Sequence, residues 1–159
     1  MKIEFDDDMI IYLSNMYIKN VDFKDRNLAE EYINRIIEIY KIDLYGYLDI
    51  KIYMDKFYGA VILIKKDDGY YLDYFNDDIT MNIEVIDSVF LYKTDDIYFI
   101  KDLFKYSEIL EYDASFYIKP FKLSDLEIGK LVENCDLIFG DIVGKILNNG
   151  KKVNEEVIV

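Results

Sequence analysis

The apolar spacing changes twice between Leu28 and Ile64, and no single class of secondary structure accommodates both changes. Leu28, Tyr32, Ile33, Ile36, Ile37 and Tyr40 recur at helical spacing. From Tyr47 to Met54 the pattern becomes strict alternation. Leu48, Ile50, Ile52 and Met54 fall on one face, and Tyr47, Asp49, Lys51 and Tyr53 on the other, as in a half-buried strand. Ala60 to Ile64 is then uninterrupted, as a strand buried on both faces requires. A helix followed by a hairpin predicts an α+β fold, with a mainly antiparallel sheet and two or three packed helices.

The remaining elements follow from the same rules. Met9 to Leu13 reads as a first long strand, preceded by a short one at Ile3 to Phe5. The first helix is predicted over Leu28 to Tyr40, capped by Asn27, with Glu30 reaching back. Strands are predicted at Tyr70–Phe75, Ile79–Ile86, Val89–Tyr92 and Ser115–Phe121, with a helical turn between Ile97 and Phe104. Ser124 and Glu127 have capping-box spacing, and Leu123 and Ile128 sit where a hydrophobic staple needs them. Ile128, Leu131, Val132 and Cys135 form that helix's apolar stripe. A strand at Leu137–Phe139 and a helix at Asp141–Asn148 ended by Gly150 follow, and Val153–Val159 is a terminal strand or a frayed tail. The turn signals are acidic: Asp6-Asp7-Asp8, Asp67-Asp68-Gly69, Asn76-Asp77-Asp78 and Asp95-Asp96. One proline and no Gly/Ser-rich stretch mark no linker, so one compact domain is expected; a subdivision, if the chain has one, falls near residue 87.

Hydrophobic residues make up 52% of the 159, enough for a packed core. The net charge of −13 has the larger functional consequence. Such a surface repels phosphate backbones and anionic lipid heads, which argues against nucleic acid and membranes, and attracts basic proteins. The longest apolar stretches fall well short of the roughly 20 residues of a membrane span. The N-terminus lacks the basic start and apolar run of a secretory signal, and the single Cys135 makes no internal disulfide, so a cytoplasmic location is expected. The abundance of Tyr, Phe and Ile reflects in part a coding bias of low-GC type, and by itself says little about function.

Residue types exclude several chemistries. Without histidine there is no Ser-His-Asp or Cys-His arrangement, and one cysteine builds no zinc or iron–sulfur site. Arg26 and Arg35 are the only guanidinium groups, which weakens any case for phosphoryl transfer. Gly140 to Ile146 is not a phosphate loop: three residues rather than four separate Gly140 from Gly144, and Ile146 stands where Ser or Thr must bind magnesium. Gly144 is read as a close-packing residue within a helix. The acidic pairs Asp67-Asp68, Asp77-Asp78 and Asp95-Asp96 offer carboxylates for a magnesium- or calcium-dependent enzyme, but match no calcium loop and read first as turn residues. Cys135, beside Glu133 and Asp136, has surroundings opposite to those of a reactive thiol. No cofactor is expected.

Gly69 to Asp78 is the stretch most suggestive of binding. Tyr70, Tyr71, Tyr74 and Phe75 beside Asp77 and Asp78 would grip a basic, partly apolar protein surface. The expected role is therefore a non-enzymatic protein-binding or regulatory module of inhibitor, immunity or adaptor type; the alternative is the carboxylate-based enzyme. Two stretches also carry a resemblance. Met1 to Lys66 has strand, helix and hairpin in order. Ser88 to Val159 has a hairpin, a capped helix beginning Leu123-Ser124-Asp125-Leu126-Glu127, and a trailing Asn149-Gly150-Lys151-Lys152-Val153. This order resembles the MecA-type adaptors of bacterial unfoldase–protease systems, which implies delivery of a bound partner. The chain is shorter than that family and lacks its long acidic linker.

Overall fold

The computed structural model describes residues 1–5, 8–66 and 79–158. The chain has the α+β, mainly antiparallel character expected, and divides into two compact units, Met1–Asp87 and Ser88–Val159. Among the described residues no helix is long and apolar enough to cross a membrane. The predicted strand Tyr70–Phe75 lies outside the described residues.

The first unit is a five-stranded sheet with a helix on one face. Its strands are β1 (Lys2–Phe5), β2 (Met9–Ser14), β3 (Gly46–Asp55), β4 (Gly59–Lys66) and β5 (Ile79–Asp87), in spatial order β1-β2-β4-β3-β5. A one-turn helix, α1 (Asn15–Ile18), precedes the long helix α2 (Arg26–Ile39). The apolar run in β4 is central, as its composition requires, with Ile62 opposite Ile11 on one side and Ile52 on the other. Leu48, Ile50 and Ile52 join Ile33, Ile36 and Ile37 of α2 in one core, each such side chain contributing roughly 1.5–3 kcal/mol on burial. The β3–β5 pairing is parallel, with Ile50 opposite Ile83.

α2 starts earlier than its apolar stripe. The cap is Asp25 rather than Asn27: its carboxylate accepts from the Asn27 and Leu28 amides at 3.0 and 3.3 Å. A single carboxylate oxygen, Oδ1, is placed to accept from both successive free amides, which makes Asp25 the cap. Glu30 does not reach back; it bonds Arg26 Nε at 3.2 Å. Leu28 and Tyr40, at the ends of the stripe, are exposed, while Ala29 is buried in the core.

The second unit holds β6 (Leu91–Thr94), β7 (Ser107–Tyr112), β8 (Ser115–Pro120), β9 (Asp136–Ile138) and β10 (Lys151–Lys152), ordered β10-β7-β8-β6-β9. Its helices are α3 (Ile97–Ile100), α4 (Asp125–Asn134) and α5 (Asp141–Asn149). Val143 and Ile146 of α5 pack on Leu91, Leu110 and Tyr117. The capping box at Ser124 forms as predicted, and Gly150 ends α5. Four details differ from expectation. β6 starts two residues later than the predicted Val89. β7 was not anticipated, because the turn joining it to β8 is Asp113-Ala114 and carries no glycine. The last strand is Lys151–Lys152, with a 3-10 turn at Glu155–Ile158. Gly144 does lie inside a helix, but a β-carbon there would meet nothing within 4 Å, so close packing is not its reason.

Candidate binding groove

Tyr70, Tyr71, Tyr74, Phe75, Asp77 and Asp78 all lie outside the described residues, as do Asp67 and Asp68. Of the acidic pairs only Asp95-Asp96 is described, and its two carboxylates have separate structural tasks. Asp95 accepts from the Ser115 hydroxyl at 2.7 Å, and Asp96 caps α3 through the Tyr98 and Phe99 amides. Among the described residues no group of three or more Asp, Glu, Cys or His side chains is arranged to hold a metal ion. Cys135 is buried at the end of α4, and burial together with the Asp136 carboxylate pushes its thiol up to about 11. That is the environment of a structural thiol.

The described residues offer a different surface, at one end of the first unit. Register places Phe5 beside Met9 and Met9 beside Ile64, so the three form a row across β1, β2 and β4. The connection from α2 to β3 passes this row and supplies Tyr40, Lys41, Ile42, Asp43 and Leu44. Between them lies an open groove of about 460 Å³, with Asp8 and Lys66 completing its rim. That volume is within the range of small-ligand and peptide-anchor sites. Lys66 Nζ sits 4.2 Å from the centre of the Tyr45 ring, which brings Tyr45 to the same rim. Asp8 is held by Lys65 at 3.6 Å.

The wall of the groove is built by a complete helix stop. The Ile42 amide donates to the Ile37 carbonyl at 2.9 Å, and the Lys41 amide to the Glu38 carbonyl at 3.3 Å. These are the two bonds of a Schellman motif, and Ile42 packs on the same core as Ile37. The motif puts Lys41 at φ 50, a left-handed position that glycine ordinarily fills. Here a lysine occupies it and stands on the groove rim.

Two aromatic side chains that line the groove are exposed, Phe5 at 69% and Tyr40 at 52%, and Tyr45 beside Lys66 is 49% exposed. Scattered exposed apolar residues are ordinary, but a cluster around a concave surface is not. Sequence reading missed the groove because its parts are remote along the chain; Tyr40 was assigned to the core stripe and Phe5 to a short strand. The only local signal was Tyr40-Lys41-Ile42-Asp43-Leu44-Tyr45, an apolar-rich connection where polar residues are usual. The acidity is also uneven: the first unit holds 19 of the 32 carboxylates against 10 of the 19 cations.

Compared with known proteins, the chain matches no family model, and no curated protein or solved structure is significantly similar to it. The resemblance in element order to MecA-type adaptors gains no support from these comparisons.

Proposed function

We propose that the chain is a non-enzymatic protein-binding or regulatory module that engages a basic protein surface. The observation that carries this reading is the exposed aromatic cluster Phe5, Tyr40 and Tyr45 around a groove on the more acidic unit. Aromatic side chains bury much area at low entropic cost and dominate binding energy at interface centres. The surplus of carboxylates supplies the long-range attraction that accelerates encounter with a basic partner.

Copurification from the native cell at low and high salt, with the partner identified by mass, tests the proposal. A basic partner retained at low salt and weakened at high salt supports it. The double variant Phe5→Ala/Tyr40→Ala is expected to weaken that complex at least about tenfold, while changing stability by no more than about 0.5 kcal/mol, because both side chains are exposed. Absence of any partner at either salt, or a partner indifferent to the double variant, counts against this reading.

A further inference from the structure

The two sheets have four edges, and three are blunted by shortness: β1 has four residues, β9 three and β10 two. The fourth, β5, has nine, longer than a typical strand. Among the described residues no strand pairs with its outer side. Proteins usually guard such an edge with lysine, proline or a bulge. β5 reads Ile-Thr-Met-Asn-Ile-Glu-Val-Ile-Asp, with two carboxylates, no cation and no proline.

Arg26 shows which backbone groups face outward. Its Nη2 reaches from the start of α2 to the Met81 carbonyl at 3.1 Å. In a parallel pair, alternate residues of a strand bond the neighbour and the others turn their N–H and C=O away. Met81 therefore belongs to the outward set, and Ile83 and Val85 share its parity. Arg26 covers the first of these three positions. Ile83 and Val85 are half-buried apolar side chains on the core face of the edge, and Glu84 on the other face is exposed. Lys51 stands opposite Glu84 on β3 without forming an ion pair with it.

We infer that the β5 edge, from Ile83 to Asp87, accepts an extended segment of a partner protein as an added strand, and that this segment alternates aliphatic with basic residues. The inference rests on the module reading above and names a second contact for it. Main-chain bonds to Ile83 and Val85 provide the docking, aliphatic side chains complete the cover over those two residues, and lysine or arginine meets Glu84 on the opposite face. A second copy of this chain is the poorer occupant, since two surfaces of charge −13 repel.

The test uses the full chain and a capped nine-residue peptide of alternating valine and lysine, with a valine–glutamate peptide as control. Amide exchange at Ile83 and Val85 is read by NMR. The lysine peptide is expected to slow both amides at least about tenfold, and the glutamate peptide to leave them unchanged. Glu84→Lys, which alters only an exposed side chain, is expected to raise the dissociation constant at least about tenfold. No slowing at millimolar lysine peptide overturns the inference, and so does equal slowing by both peptides. Slowing without peptide that grows with protein concentration, with a doubled mass, assigns the edge to a second copy and also overturns it. A cellular partner that ignores Glu84→Lys but is lost with Phe5→Ala/Tyr40→Ala overturns this edge and leaves the module reading standing. Failure to find any cellular partner bears on the module reading, and the peptide titration decides the edge separately.

Discussion

Gly59 lies against the backbone of Leu13: a β-carbon built on Gly59 would overlap the Leu13 carbonyl oxygen. The contact arises where β4 leaves its turn beside β2, with Gly59 paired to Ser14 and to Asp55. The turn itself is tied by the buried Asp55, whose carboxylate accepts from the Phe57 amide at 2.8 Å and the Tyr58 amide at 3.2 Å. Gly59 also sits at φ 135, a conformation closed to other residues. Gly59→Ala is therefore expected to destabilise by about 3 kcal/mol or more. Gly46→Ala, with φ 81 but open space around it, is expected to cost only about 1 kcal/mol. Urea melts of the two variants side by side check the difference.

Two non-glycine residues sit where glycine would be easier. Lys41 ends α2 at φ 50, and Ala114 sits at φ 61 in the two-residue turn between Tyr112 and Ser115. With Asp113 at φ 48, that turn has the positive-φ pair of a type I′ hairpin, for which Asn-Gly and Asp-Gly are the favoured sequences. Lys41→Gly and Ala114→Gly are each expected to stabilise by about 1 kcal/mol. A fall in the urea midpoint for either would show that its side chain makes a compensating contact.

The helical glycines have the opposite expectation. Gly129 in α4 and Gly144 in α5 are exposed, and a β-carbon at either meets nothing within 4 Å. Gly129→Ala and Gly144→Ala should each raise stability by about 0.5–1 kcal/mol, mainly by restricting the unfolded chain. Thermal melts of the single variants and the pair check this, and the two effects should add.

Glu127 links α4 to pH. Its carboxylate accepts from the Ser124 amide at 2.8 Å and from the Ser124 hydroxyl at 2.9 Å. These bonds hold its pKa below the usual glutamate value. A carboxylate with a lowered folded pKa contributes stability above its unfolded pKa and loses it as pH falls through the folded one. The advantage of the native chain over Glu127→Gln should thus be full at neutral pH and shrink through the acid range below the ordinary glutamate value. Stability measured against pH for both proteins checks this.

Cys135 should react as a buried thiol. With its pKa pushed up to about 11, the thiolate fraction at pH 8 is roughly a hundredfold below that of a free cysteine or lower. Labelling with a disulfide reagent at pH 8 should be correspondingly slow in the native protein and fast in urea. Rapid native labelling would show that α4 opens around it.

Much of this molecule is determined within short windows of sequence. Ser124 and Glu127 are three residues apart and need only each other, so the capping box could be read directly. The alternation Leu48, Ile50, Ile52 and the stripe Ile33, Ile36, Ile37 encode their buried faces by period alone, and with them the α+β class. Even the missed strand β7 has a local cause, since the Asp113-Ala114 turn lacks the glycine that usually announces a hairpin. Tertiary structure decided what no window contains. Asp25 rather than Asn27 caps α2 because the geometry of the incoming chain, not residue type, chose between two good capping residues. Pairing β5 alongside β3 in parallel, which puts β5 at the edge of the sheet among the described residues, is a long-range choice that local pattern does not express. The groove gathers Phe5, Tyr40 and Ile64 from three separate elements. An apolar residue carries the same signal whether it closes a core or lines a surface, and only the packing of distant segments decides which.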